Sequence, residues 1–208
     1  MSADKFAPRS PEDTSRLVRD HPLAWVVSVG AVEPCATLLP MRPVEADGRL
    51  ERLVGHFARS NPQVQILRAQ PRALILFLGV HGYISPSWLA DRTQAPTWNY
   101  ASAQFDTDIE FFEDPAAIAA HLRDLVTTME AGRPKRWAIE DMGERYRSLA
   151  RRVIGFTARI RATRAKFKLG QDERDDVFSD IVRGLESQGA TELLEWMLAF
   201  NEQRAGRD

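Results

Sequence analysis

The stretch GVHGYISPSWLADRTQAPTWNY, residues 79–100, decides how the rest of the chain is read. It holds two of the five tryptophans, two of the three tyrosines and one of the four histidines. A nearly unbroken apolar run, Ala73 to Leu78, precedes it, so a buried strand delivers a loop dense in aromatic and hydrogen-bonding groups. Loops are usually polar. One this rich in Trp and Tyr either packs over the core or receives a flat ligand, and residue types alone leave both readings open.

Working outward, Arg72 to Val80 is the clearest buried strand, and Thr97 to Phe112 reads as a second one. In the latter, Thr107, Ile109 and Phe111 take one face and Asp106, Asp108 and Glu110 the other, a period of two. Upstream, Ser10-Pro11-Glu12-Asp13 starts a helix with a capping serine, a first-turn proline and acids at the positive dipole end. It should stop near His21-Pro22. Leu23 to Val29 and Cys35 to Leu39 read as a hairpin punctuated by Gly30 and Pro34. Asp47-Gly48 is a turn leading into a strand from Leu50 to Phe57. Asn61-Pro62 opens a short helix that Pro71 ends.

Downstream, Asp114-Pro115 starts a helix to about Ala131, broken by Gly132-Arg133-Pro134. Ile139 to Arg152 is expected as one amphipathic helix and Val153 to Ile160 as a strand. Phe178 to Ser187 and Ala190 to Gln203 read as two helices joined at Gly189, and the tail from Arg204 to Asp208 should fray. Short strands dominate the first half and helices the second, with a late strand returning. No βαβαβ rhythm and no repeat is present. The pattern predicts an α+β fold, a small antiparallel barrel decorated by helices.

The 208 residues carry a net charge of −1, with 44% hydrophobic and 27% charged positions, which is ordinary for a globular chain. A global basic field for non-specific nucleic-acid binding is absent. The one cysteine, Cys35, excludes an internal disulfide framework and fits a reducing compartment. The first residues hold no apolar leader core, and no run reaches the ~20 apolar residues of a membrane helix, so the expected location is the cytoplasm, with no membrane partner.

The four histidines, His21, His56, His81 and His121, show no metal-ligand spacing, so no metal site is expected. Ser85-Pro86-Ser87 lacks the glycines of a nucleophile elbow, and there is no glycine-rich phosphate loop. An anion could be held another way. His56, Arg59, Ser60 and Gln63 stand around a strand-to-helix transition where free N–H groups and a guanidinium converge. The plainer reading is a capped helix beside an exposed arginine. A second cationic cluster, Arg159, Arg161, Arg164, Lys166 and Lys168, is a solvated strand edge, an arm to an anionic cofactor, or a nucleic-acid contact.

Taken together, several motifs resemble the PaiB family of FMN-binding negative transcriptional regulators. They are His21-Pro22-Leu23-Ala24, Ala36-Thr37-Leu38-Leu39-Pro40 and residues 55–63 (GHFARSNPQ), then residues 81–88 (HGYISPSW) and Pro96-Thr97-Trp98-Asn99-Tyr100. Glu130-Ala131-Gly132-Arg133-Pro134 and Ile154-Gly155-Phe156 follow. The resemblance covers about Phe6 to Gln171. It implies an FMN-binding split β-barrel working as a homodimer with flavin at the subunit interface. Thr37, Leu38, Leu39 and Pro40 would lie along the flavin ring. His56, Arg59, Asn61 and Gln63 would supply phosphate and ribityl contacts. Trp98, Asn99 and Tyr100 would line the site, from their own or the partner subunit, and Lys166, Lys168 and Gln171 would complete it. The barrel domain is expected over residues 1–172 and a C-terminal helical extension over 173–208.

The family usually shows Lys-x-Lys-Leu-Ser-Gln-Asn near its end. Here the segment is Lys166-Phe167-Lys168-Leu169-Gly170-Gln171-Asp172, which loses a hydroxyl and gains an acid. Three functions follow from the resemblance and its departures: an FMN-binding transcriptional regulator, an FMN-dependent oxidoreductase acting on a small flat substrate, and a degenerate barrel without flavin. DNA contact would fall to the Arg159–Lys168 cluster with Arg145, Arg147, Arg151 and Arg152. For the oxidoreductase, His81, Tyr83 and Tyr100 are the candidate substrate-side residues.

Overall fold

The computed structural model describes residues 4–29 and 33–202. Its helices are α1 (Pro11–Asp20), α2 (Gln63–Ala69), α3 (Pro115–Met129), α4 (Arg145–Ala150), α5 (Asp175–Ser187) and α6 (Thr191–Phe200). Its strands are β1 (Leu23–Val29), β2 (Pro34–Pro40), β3 (Arg42–Ala46), β4 (Arg49–Ala58), β5 (Arg72–Ile84), β6 (Thr97–Phe112) and β7 (Val153–Lys168). In sheet order they run β2-β1-β5-β6-β7-β4-β3. The chain divides into two compact units. One comprises Met1–His21, Leu78–Ala103 and Arg164–Asp208, and the other Pro22–Phe77 and Gln104–Thr163. The long strands β5, β6 and β7 each contribute a segment to both.

In the Pro22–Phe77/Gln104–Thr163 unit, β1 pairs antiparallel with β2, setting Trp25 opposite Leu38 and Val26 opposite Thr37. It also pairs with β5, with Ala24 opposite Phe77. β4 pairs with β7, where His56 faces Gly155. Ala24, Val26, Leu53, Phe57, Ile75, Phe105 and Phe156 are at most 1% exposed and form its core. The Phe57 and Phe156 rings meet at 4.9 Å. A Cβ on Gly155 would stand 2.1 Å from the Phe112 ring, so the strand passes under that ring only as glycine. Asp114 caps α3 by accepting from the Ala117 N–H at 2.9 Å, as its sequence signature predicts.

In the other unit, α1, α5 and α6 gather around the end of β7. The rings of Phe167, Trp196 and Phe200 stack, Phe167 to Phe200 at 5.1 Å. Arg9 and Arg16 lie over Phe200 and Trp196 at 4.0 and 4.1 Å. The 85–96 loop is strapped to α5. Ala90 N–H donates to Asp180 at 2.7 Å, Arg174 reaches Asp91 at 3.1 Å, and the Trp88 indole fills the space where Gly184 lacks a side chain.

The expected aromatic loop is shorter than its sequence suggests. β5 continues through His81, Gly82 and Tyr83 to the buried Ile84, and β6 resumes at Thr97. His81 and Gly82 interrupt the apolar run and disguise the strand. β3 is absent from the expectation because it is a polar edge strand that tolerates Pro43. The expected helix from Ile139 to Arg152 is broken at Gly143, whose φ is +55°, into a 3₁₀ turn (Ile139–Met142) and α4. β7 runs on past Ile160 through an exposed polar stretch to Lys168. Gly30, Gln203 and the tail from Arg204 lie outside the described residues.

Candidate functional site

Three of the expected cofactor residues meet in one hydrogen-bonded ring. The Thr37 hydroxyl donates to Gln63 Oε1 at 2.6 Å and accepts from Asn61 Nδ2 at 3.0 Å. Asn61 Oδ1 in turn accepts from the Gln63 backbone N–H at 2.9 Å. Gln63 is fully buried, and its amide nitrogen donates to the Val26 carbonyl at 2.9 Å, Ser28 Oγ at 3.0 Å and the Cys35 carbonyl at 3.2 Å. Its capacity is filled inside the protein, so Gln63 fixes the start of α2 to β1 and β2 and positions Thr37 and Asn61. Val26, Ser28 and Cys35 were no part of the expected site. Nothing local in the sequence ties them to a glutamine 28 to 37 positions away.

On its opposite face the hairpin presents an apolar surface. Leu23, Trp25 and Leu38 are 52%, 48% and 42% exposed, and Leu38 is registered directly against Trp25, Pro40 against Leu23. Paired residues share a face, so these four make one open strip, while Thr37 and Leu39 alternate to the other side. Trp25 was read only as strand material, and its exposure is the signal of interest.

Arg59 does not turn toward this ring. Its Nε donates to the Arg151 carbonyl at 3.1 Å and its guanidinium pairs with Glu113, which Arg68 also grips. Hydrogen bonds from Arg59 and then Arg68 hold the Glu113 carboxyl below the usual carboxylate range. His56 Nδ1 meets Nε2 of His121 at 3.0 Å, and the rings sit edge to face. Burial lowers the His56 pKa. Burial, then His56 and Arg42, push His121 down to about 4 against the opposing effect of Asp124. Both rings are therefore neutral at pH 7 and share one N–H···N bond. His121, on the apolar face of α3 with Ile118, was not foreseen.

The remaining expected residues lie in the other compact unit. Trp98 is 53% exposed and stands by His81 and Tyr83, with ring centroids at 6.5 and 5.9 Å. Tyr100 is half-buried. Asn99 is fully buried, with Nδ2 3.4 Å from Met197 Sδ and Oδ1 without a partner. Lys166 lies 5.3 Å from the Phe6 ring centre, and Lys168 donates to Thr97 Oγ1. Gln171 closes a local turn, accepting from Leu169 N–H at 2.7 Å and donating to the Phe167 carbonyl at 2.5 Å.

The family departures have a local explanation. Gly170 has φ +83°, and a Cβ there would lie 3.1 Å from Met197 and 3.2 Å from Phe178, side chains of α6 and α5. Asp172 accepts from Lys5 at 2.8 Å. Burial opposes its ionisation, yet the Lys5 bond outweighs this with lesser contributions, and the carboxyl titrates below its ordinary value. Among the described residues no group of three or more His, Cys, Asp or Glu is arranged to hold a metal. No helix among them is long and apolar enough to cross a membrane.

A family model described as "Putative FMN-binding domain" matches residues 2–162. The chain is 26% identical over 184 residues to the protease synthase and sporulation protein PAI 2 of Bacillus subtilis (strain 168), covering 88% of this chain and 87% of the relative. It is 27% identical over 158 residues to an uncharacterized Saccharomyces cerevisiae protein, covering 70% and 94%. Among solved structures, the flavocytochrome Anf3 of Azotobacter vinelandii superposes with a TM-score of 0.63 at 16% identity, covering 84% of this chain and 75% of that one. An FAD- and heme-binding protein of Mycobacterium smegmatis superposes with 0.61 at 20% identity, covering 87% and 80%. At those identities the likeness is one of fold, and it is the α+β split barrel that the family resemblance implied, in keeping with the small antiparallel barrel read from the strand pattern. With the family model spanning most of its length, the chain belongs to this FMN-binding family and is PaiB-like.

Proposed function

We propose that the protein binds FMN on the Pro22–Phe77/Gln104–Thr163 unit and works as a homodimer. The observation that carries this reading is the open apolar strip of Leu23, Trp25, Leu38 and Pro40, on a hairpin that the Thr37–Asn61–Gln63 ring ties to α2 from its opposite face. The strip fits the cofactor's flat ring, and the hydrogen-bonded ring on the far face holds the hairpin rigid beneath it. The phosphate is assigned to the Ser60-Asn61 turn ahead of α2, since the Arg59 guanidinium is taken by Glu113. Gln63 positions these groups, and His56, held by His121, supports the strand beneath them. When bound, FMN supplies electron-transfer chemistry, and the protein supplies orientation and exclusion of water.

The exposed apolar side chains Leu23, Trp25 and Leu38 in one unit, and Leu78, Tyr83 and Trp98 in the other, support self-association. A regulatory role on DNA is the second reading. It is favoured by Arg72, Arg159 and Arg161, which crowd around the single carboxylate of Asp108 at 3.1 to 3.5 Å and leave excess positive charge. An FMN-dependent reductase is distinguished from a regulator by NAD(P)H consumption that disappears when flavin is removed.

The test is the visible absorption spectrum of protein purified without added cofactor, followed by titration with FMN. A yellow protein, or uptake of one FMN per chain, supports the reading. A colourless protein that takes up no FMN overturns it.

A further inference from the structure

We propose that the cleft between α3 and α4 is a second small-molecule site, taking a ligand with an apolar body and an oxyanion headgroup. The cleft encloses about 380 Å³ and is lined by Arg59, Glu113, Ile118, Tyr146, Arg147 and Arg151, with small alanines between them. That volume lies in the range of ordinary ligand pockets. All of these residues belong to the Pro22–Phe77/Gln104–Thr163 unit.

Charge selects the headgroup. Three guanidinium groups line the cleft against one carboxylate, and that carboxylate is already shared by Arg59 and Arg68. Among the described residues the Arg147 side chain reaches Glu144 alone, at 3.6 Å and with both side chains largely exposed. The Arg151 side chain pairs with no carboxylate among the described residues; its carbonyl accepts from Arg59. Two planar donor forks are thus left for an incoming oxyanion.

Tyr146 also lines the cleft. Its hydroxyl is enclosed and has no partner among the described residues, so it is not the group that meets the ligand. Ile118, Ala119 and Ala150 supply the apolar surface for the body of the ligand. The basic run Arg145 to Arg152, which no cofactor contact uses, acquires a purpose. Carboxylates and phosphate monoesters share the required chemistry.

The inference stands independently of FMN binding. Benzoate and phenyl phosphate are titrated by calorimetry into the full chain, with and without saturating FMN. The same titrations are made with Tyr146→Phe and with an Arg147→Ala/Arg151→Ala double variant. At least one probe should bind saturably at one site per chain, and the stronger of the two names the headgroup. The double variant should weaken it about tenfold, two charge-assisted bonds being lost. Tyr146→Phe, which keeps the lining ring, should bind the probe as the parent does. FMN should leave probe affinity unaltered. No heat from either probe, binding insensitive to the double variant, or displacement of the probe by FMN would each overturn the proposal; the last would assign the cleft to the cofactor site.

Discussion

The Thr37 hydroxyl donates to the Gln63 side chain at 2.6 Å, joining β2 to α2 across 26 positions of sequence. Gln63 answers with three bonds to Val26, Ser28 and Cys35, so one buried amide holds three elements in register. Gln63→Ala strands two backbone carbonyls and two hydroxyls, and it should destabilise the fold by about 2–4 kcal/mol, beyond a single hydrogen bond. Asn61→Ala removes two part-buried bonds, to the Thr37 hydroxyl and from the Gln63 backbone N–H, and should cost about 1–2 kcal/mol. Urea unfolding of both, with FMN titration alongside, separates the roles: Gln63→Ala loses stability first, Asn61→Ala loses FMN affinity first.

Leu38 contributes little to the core because it is 42% exposed. Leu38→Asp should therefore leave the thermal midpoint within a few degrees of the parent. The same change sets a carboxylate on the strip assigned to the flavin ring and should abolish FMN uptake, read by the visible spectrum after dialysis. Retained uptake would move the ring off this strip.

The His56–His121 pair sets an acid limit. His121 titrates near 4 in the folded protein against an ordinary 6.5, so the unfolded chain binds the proton first as pH falls. Its contribution to stability is present in full above about 6.5 and is lost on descending toward 4, amounting to roughly 2 kcal/mol. His56 shifts in the same direction and adds to the loss. Arg42 deepens the effect and Asp124 opposes it. Thermal midpoints between pH 7 and 4 should fall steeply for the parent and more gently for His121→Leu. Parallel slopes would show that other groups govern acid stability.

Local chemistry made much of this fold legible. Asp114-Pro115 and Asp47-Gly48 act through their own backbones, and the alternation from Thr97 to Phe112 reports one buried face, so each was readable in place. β3 was hidden because an edge strand needs no apolar face, and the end of β5 because His81 and Gly82 interrupt its run. The site was legible only as motifs. Thr37 stood in a different stretch from Asn61 and Gln63, and only the folded hairpin makes them one ring. Arg59 looked free to meet an anion and is instead turned to Glu113, and His121 looked like an ordinary helix residue. Those outcomes depend on partners 54 and 65 positions away.

The Gly170 departure is set by the C-terminal helices. With φ +83° and Met197 and Phe178 within 3.2 Å of a virtual Cβ, restoring the family's serine places a side chain in left-handed backbone against two packed helices. Gly170→Ser should cost about 1–3 kcal/mol. Asp172→Asn removes only the partly exposed pair with Lys5 and should cost less than about 1 kcal/mol. If both departures serve these local contacts and not the cofactor, neither variant raises FMN affinity, and thermal melts show the loss for Gly170→Ser alone. A gain in FMN affinity with either change would instead mean that this segment reaches the cofactor and that the departures weakened it.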